Sequence, residues 1–164
     1  MASVNWTGLG NGTAWADPNN WAGQAVPAQA DDVTINAGAS TTVFIAHGDI
    51  VFINSLTSNS PIFDDGSLQI TATAQMSANV TVDAQLGGGT WNFSNGAVMN
   101  TSGFFTAFIG GLTLNGNLDA SNDALFTVGD LTLNGTMFLG DASGSAFGVV
   151  NVGGFVGGSG SIQF

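Results

Sequence analysis

"LTLNG" occupies residues 112–116 and returns unchanged at 131–135, and "VNVGG" follows at 150–154. An apolar–polar–apolar triplet that ends in a turn and recurs at an offset of 19 residues marks a chain wound into coils. The triplet extends upstream. Val33-Thr34-Ile35, Val51-Phe52-Ile53, Leu68-Gln69-Ile70 and Trp91-Asn92-Phe93 lead into Leu112-Thr113-Leu114, Leu131-Thr132-Leu133 and Val150-Asn151-Val152, at intervals of 18, 17, 23, 21, 19 and 19. With the 19-residue shift Leu118, Met137 and Val156 coincide, as do Val128 and Phe147, and Gly129 and Gly148.

In a parallel β-helix each coil hydrogen-bonds to the next about 4.8 Å away. Like residues then stack into columns. Asn115 and Asn134 stack at one corner, where Asn and Gly accept the positive φ of a sharp turn. Stacked amides can also hydrogen-bond along the axis. The expected fold is all-β: a single-stranded parallel β-helix, or β-solenoid, of about seven coils of roughly 17–23 residues. The division is a capping segment over 1–32 and coils over 33–164. An antiparallel β-sandwich is the alternative, because Asn-Gly between alternating strands is also a hairpin signal, as in "LTLNGTMFL" (131–139). A sandwich needs no constant offset, whereas a solenoid does.

Composition agrees. Hydrophobic residues make up 44% of 164, enough for one continuous core. All eleven acidic residues are Asp, and Lys and Arg are absent, so the net charge is −11. The good surface helix formers Glu, Lys and Arg are missing. Without cations to meet phosphate, no nucleic-acid partner is expected, and anionic membranes and acidic polysaccharides are disfavoured likewise. No run suits a membrane span. The chain has no Cys and hence no disulfide.

Residues 1–32 do not repeat. They hold Trp6, Gly8, Trp15, "NNW" at Asn20 and Trp21, then Pro27 and "DDVTI" from Asp31 through Asp32 and Val33 to Ile35. This pattern resembles the start of bacterial exported β-helix surface proteins, the autotransporter passengers and filamentous-haemagglutinin-like adhesins. The resemblance lies mainly in residues 1–35. It implies a parallel β-helix at the cell surface or outside the cell, reached by bacterial-type export. Met1 is followed by "ASVNW", without the basic and apolar regions of a signal peptide. A processed signal or another export route is therefore expected. Trp6, Trp15 and Trp21 are expected to fold over the first coil, since terminal repeats of solenoids are atypical caps. An aromatic platform for sugar stacking is the alternative.

At the other end "SGSIQF" follows the last coil with no lysine or charged guard for an edge strand. Either the solenoid continues in a longer protein or this end receives the next subunit. The expected assembly residues are Val150, Val152, Phe155, Ile162 and Phe164 here, with Trp6, Trp15 and Trp21 at the opposite end.

Candidate chemistry is sparse. His47, the one histidine, adjoins Gly48-Asp49 and reads as a turn residue, so a zinc site lacks ligands. Asp31-Asp32 and Asp64-Asp65 are adjacent carboxylates and weak calcium candidates in acidic turns. Neighbours on a strand face opposite ways, so neither pair is a glycosidase pair. No enzyme activity and no cofactor other than calcium are expected. Six N-x-S/T sequons, at Asn5, Asn11, Asn79, Asn92, Asn100 and Asn134, read as coincidences of an Asn- and Thr-rich chain. Thr113 and Thr132 are expected to point outward, as in ice-binding arrays. The same triplet position elsewhere holds Gln69, Asn92 and Asn151, which leaves that pair isolated. The functional expectation is a structural extracellular subunit that assembles head to tail into filaments or matrix. An adhesin fragment binding a surface or glycan is the alternative, and a polysaccharide-acting enzyme ranks below both.

Overall fold

A computed structural model describes residues 2–102, 106–121, 124–140 and 148–164. The chain begins with β1 (Ser3–Asn5) and a single 3-10 turn at Pro18–Asn20. It then winds through three strands per coil. The first coil is β2 (Asp32–Ile35), β3 (Val43–Ile45) and β4 (Ile50–Ile53); the second is β5 (Ser55–Ser58), β6 (Ile62–Asp64) and β7 (Ser67–Ile70). The third is β8 (Thr73–Met76), β9 (Val80–Val82) and β10 (Gln85–Gly87); the fourth is β11 (Thr90–Phe93), β12 (Val98–Thr101) and β13 (Thr106–Ile109). The fifth is β14 (Leu112–Asn115), β15 (Asn117–Asp119) and β16 (Ala124–Val128); the sixth is β17 (Leu131–Leu133), β18 (Thr136–Phe138) and β19 (Val149–Val152). A seventh has two strands, β20 (Val156–Gly157) and β21 (Ser161–Gln163).

Each side of the coil is one parallel sheet. Sheet A runs β1-β2-β5-β8-β11-β14-β17-β20, sheet B runs β3 to β21 in steps of three, and sheet C runs β4 to β19 likewise. This is the expected β-solenoid, with six complete coils described instead of seven. "LTLNGTMFL" forms no hairpin: β17 pairs with β14 and β20, and β18 with β15 and β21. Its Asn134-Gly135 is a corner between two sheets.

Alternation drives burial. The buried apolar positions pack into one core that runs the length of the described coils. Sheet A stacks Val33, Leu56, Ala74, Trp91 and Leu114 in register. The large indole of Trp91 lies directly beside the small Ala74, which keeps the column filled at native density. The corner from sheet C to sheet A stays short and is built on glycine. A Cβ on Gly89, at φ +67°, would lie 2.8 Å from the Ala72 carbonyl oxygen.

The register corrects part of the triplet series. Val51 and Leu68 stack on each other in sheet C, not on Val33 in sheet A. Val150 stacks on Leu125 in sheet C, and the partner of Leu131 in sheet A is Val156. Met137 likewise meets Ile162 instead of Val156. Thr127 pairs with Val152, so Gly129 does not match Gly148 and Val128 does not match Phe147; Phe147 itself lies outside the described residues. Two sides of the solenoid carry the same apolar–polar–apolar phrase, and the period alone does not say which side a triplet occupies.

Candidate functional site: two coil ends, acidic corners and the outer face of sheet A

The N-terminal segment is tied to the first coil on two sides. β1 pairs with β2 in sheet A, and Ala14 makes a parallel bridge to Phe44 beside β3. Asn20 is its hub. Its side-chain oxygen accepts from the backbone N–H groups of Gly10 and Gly12, both at 3.0 Å. Its amide donates to Asn11 Oδ1 and to the Ala14 carbonyl, both at 2.9 Å. All of its side-chain hydrogen-bonding capacity is used while it is fully buried. Asp17 caps the 3-10 turn, accepting from Asn19 N at 3.0 Å and from Asn11 N at 2.9 Å. These bonds hold its carboxyl below the usual range.

Trp21 sits between the other two indoles, 4.7 Å from Trp6 and 4.8 Å from Trp15, edge to face. Its Nε1 donates to the Trp15 carbonyl at 2.7 Å. Trp15 and Trp21 are each only 1% exposed, so they offer no surface to a second chain. Among the tryptophans expected at an assembly contact, only Trp6 keeps part of its ring accessible. Burial in the first coil is the physical reason. It also leaves Trp15 and Trp21 no open face for a sugar.

The last coil is different. Phe155 is 73% exposed and Phe164 93% exposed, and Val149, Val156 and Ile162 are each about half exposed. Val150 and Val152 face the core from β19 and are partly covered. Among the described residues β19, β20 and β21 each pair on one edge only. At the opposite end β4 also has one free edge in sheet C, with Ile50 and Phe52 exposed on its outer face.

The acidic pairs are used in folding. Asp31 accepts from Ala28 N at 2.9 Å and Ala2 N at 3.3 Å. Asp32 accepts from Asn54 Nδ2 at 2.7 Å and from Ser55 Oγ at 2.5 Å, and the Ser55 bond, then the Asn54 bond, lowers its pKa. Asp64 and Asp65 point opposite ways. Asp64 is fully buried in β6, in the column between Ile45 and Val82, and Oδ1 accepts from Gly66 N at 3.1 Å. Oδ2 has no partner. Burial pushes the Asp64 carboxyl up to about 7. Asp65 lies outside, 3.7 Å from His47 Nδ1. His47 thus meets Asp65 instead of its neighbour Asp49, whose side chain closes the corner by accepting from Ala46 N at 3.2 Å. Among the described residues no three His, Cys, Asp or Glu side chains converge as a metal site would require. No described helix is long and apolar enough to cross a membrane, which says nothing of strands.

Sequence reading missed that Asp64 is a core position. The signal was present: Ile62-Phe63-Asp64 places Asp64 in phase with buried Ile62. On the outer face of sheet A it missed that Asn92 joins the expected amides. There Asn134 Nδ2 donates to Asn115 Oδ1 at 2.8 Å and Asn115 Nδ2 to Asn92 Oδ1 at 2.6 Å. This is the expected amide ladder, one coil longer than the repeat suggested. Compared with known proteins, the chain matches no family model, no curated protein and no solved structure.

Proposed function

We propose that this chain is a structural β-solenoid subunit outside the cell that stacks head to tail into filaments or matrix. The observation that carries the reading is the last coil, with three singly paired parallel strands and exposed Phe155, Val156, Ile162 and Phe164. A translation of eight strand spacings along the axis sets β20 of one copy beside β1 of the next in sheet A and β21 beside the Ala14 segment in sheet B, while β19 and β4 of sheet C stay two strand positions apart. Such a contact is heterologous and does not close, so it generates a fibre. Magnitudes favour a backbone-assisted contact. Full burial of a large apolar side chain stabilises by about 1.5–3 kcal/mol, and association costs about 4–15 kcal/mol. A handful of half-exposed side chains roughly offsets that cost. The strand ladder across the junction supplies the rest.

The test is negative-stain electron microscopy of purified protein with sizing by light scattering, in calcium and in chelator. Long unbranched fibres support the reading, and their loss in chelator assigns calcium a part in assembly. Monodisperse monomers in both conditions overturn it.

A second reading, an adhesin module for a neutral glycan, has its own observation. A groove of about 530 Å³ on sheet B is lined by Phe44, Pro61, Phe63, Thr42, Asn79 and Thr81. The Phe44 and Phe63 rings lie 5.7 Å apart, and Phe44 is open to solvent. Aromatic faces beside amides and hydroxyls suit sugar rings. Glycan-array binding that is lost in Phe44→Ala, with no fibres, would favour this reading over stacking.

A further inference from the structure

Four consecutive coils set a threonine at one outward position of sheet A. Thr73, Thr90, Thr113 and Thr132 follow one another in register through β8, β11, β14 and β17. They are 17, 23 and 19 residues apart in the chain, so the corners change length while the threonine keeps its place. Ser55 and Asp32 extend the column toward the cap. Two residues along each strand runs a second outward column: Thr34, Thr57, Gln75, Asn92, Asn115 and then Asn134. Parallel register makes the two columns a lattice, with repeats of about 4.8 Å along the axis and about 6.7 Å across it.

None of the four threonine hydroxyls hydrogen-bonds to any described residue, and all four side chains reach solvent. The amides of Asn92, Asn115 and Asn134, beside three of them, are tied into the ladder and are not free to turn. Threonine is branched at Cβ and stiff at χ1, so methyl and hydroxyl recur at fixed points before any ligand arrives. Charge narrows the ligand. The chain carries −11, yet Asp32 at the rim is the one carboxylate in either column. A neutral, ordered face on an otherwise acidic protein complements an uncharged, ordered partner. Neither column holds the aromatic ring that usually seats a soluble sugar.

We propose that this face binds ice. Its hydroxyl spacing lies close to that of water oxygens on a prism plane of hexagonal ice. Waters held on the threonines act as bridging waters that already belong to the lattice. The methyl groups between them give each water a defined seat. The proposal uses the side of the solenoid and does not depend on end-to-end stacking.

The experiment is growth of a single ice crystal in a supercooled solution of the full chain. Partition of the protein into a slowly frozen ice hemisphere is measured beside co-dissolved albumin. Expected are faceted crystals, a freezing point held below the melting point, and enrichment in ice over albumin. Thr90→Lys and Thr113→Tyr are expected to lose all three effects with an unchanged circular dichroism melt. Asn100→Lys, outward on sheet B, is expected to keep them. Disc-shaped crystals with no freezing-point gap for the unaltered chain overturn the proposal. So does equal activity in Thr90→Lys and Asn100→Lys. Binding to crystalline cellulose without any effect on ice also overturns it, and assigns the lattice to a solid polysaccharide.

Discussion

The two ends of the solenoid solve one problem in opposite ways. Each described end meets a column of apolar side chains and three rows of backbone groups. The N-terminal end folds chain over the first coil, buries Trp15 and Trp21, and satisfies backbone groups of Gly10, Gly12 and Ala14 through Asn20. The last described coil leaves phenylalanine, valine and isoleucine outward and its strands singly paired. The difference teaches that apolar content alone does not close a solenoid. Closing needs polar residues that can satisfy a buried, irregular backbone, and those residues sit at one end.

The sharpest way to break the closed end is Asn20→Leu. It strips acceptors from Gly10 and Gly12 N–H and a donor from the Ala14 carbonyl. Leaving a buried polar group unmet costs about 1–3 kcal/mol each, so the loss is on the order of 4 kcal/mol by chemical denaturation. Tryptophan emission should shift to the red as the indoles open. An unchanged transition would mean that the cap contributes nothing to the coils beneath it.

Asp64 lies between the two ends and carries the next largest effect. Its folded pKa is about 7, above the ordinary 3.8, chiefly because burial disfavours the charge, with Asp65 adding repulsion. Protonated Asp64 therefore favours the fold. Its contribution is complete below the ordinary value and is lost as pH rises toward about 7. Asp17 and Asp32 work the other way: their carboxyls are lowered, so their contribution is lost as pH falls through their folded values. Thermal melts should show stability declining between pH 4 and pH 7. Asp64→Asn should flatten that slope and raise stability above pH 7 by roughly 3–4 kcal/mol. A variant whose melts track the unaltered chain at every pH would show that Asp64 is not the titrating group.

How far the sequence reading reached depended on which residues carried the pattern. The coil was legible because Leu112-Thr113-Leu114 and Leu131-Thr132-Leu133 share both triplet and turn, and they do stack. The Asn ladder was legible because an amide at a repeated corner has a neighbour by construction. Val150-Asn151-Val152 misled, because an inward–outward–inward strand looks the same on any side of the coil. The next strand of sheet A arrives 25 residues after Leu131, not 19. The threonine column was hidden by the same confusion. Gln69 and Asn151 belong to sheet C, and their removal leaves Thr73, Thr90, Thr113 and Thr132 as one row. Asp64 was hidden because "FDDGS" has the composition of a loop, while its strand phase pointed inward.

A smaller effect is expected in the body, where coils meet coils. Asn115→Ala removes the amide that bridges Asn92 and Asn134. One to two net hydrogen bonds of about 1 kcal/mol are lost, measurable as a shift in denaturation midpoint with unchanged slope. A loss near zero would make the ladder a consequence of the register and not a support for it.

The smallest effect on folding should be the largest on assembly. Phe155 is held by its backbone: its N–H donates to Asp130 Oδ1 at 2.8 Å, and its carbonyl accepts from Leu131 N at 2.8 Å. Its ring is 73% exposed and contributes little to the core. Phe155→Ser paired with Phe164→Asp, the latter at a residue 93% exposed, should therefore shift the stability of the isolated chain by no more than about 0.5 kcal/mol per site. The same pair places a hydroxyl and a carboxylate where the next coil has to seat. Sedimentation should then show monomer where the unaltered chain shows fibres. If the double variant still forms fibres, the chains join through their sides, and the open coil is not the contact. If it loses stability by several kcal/mol, the last coil is already covered within the folded chain, and the contrast between the two ends is smaller than their exposures suggest.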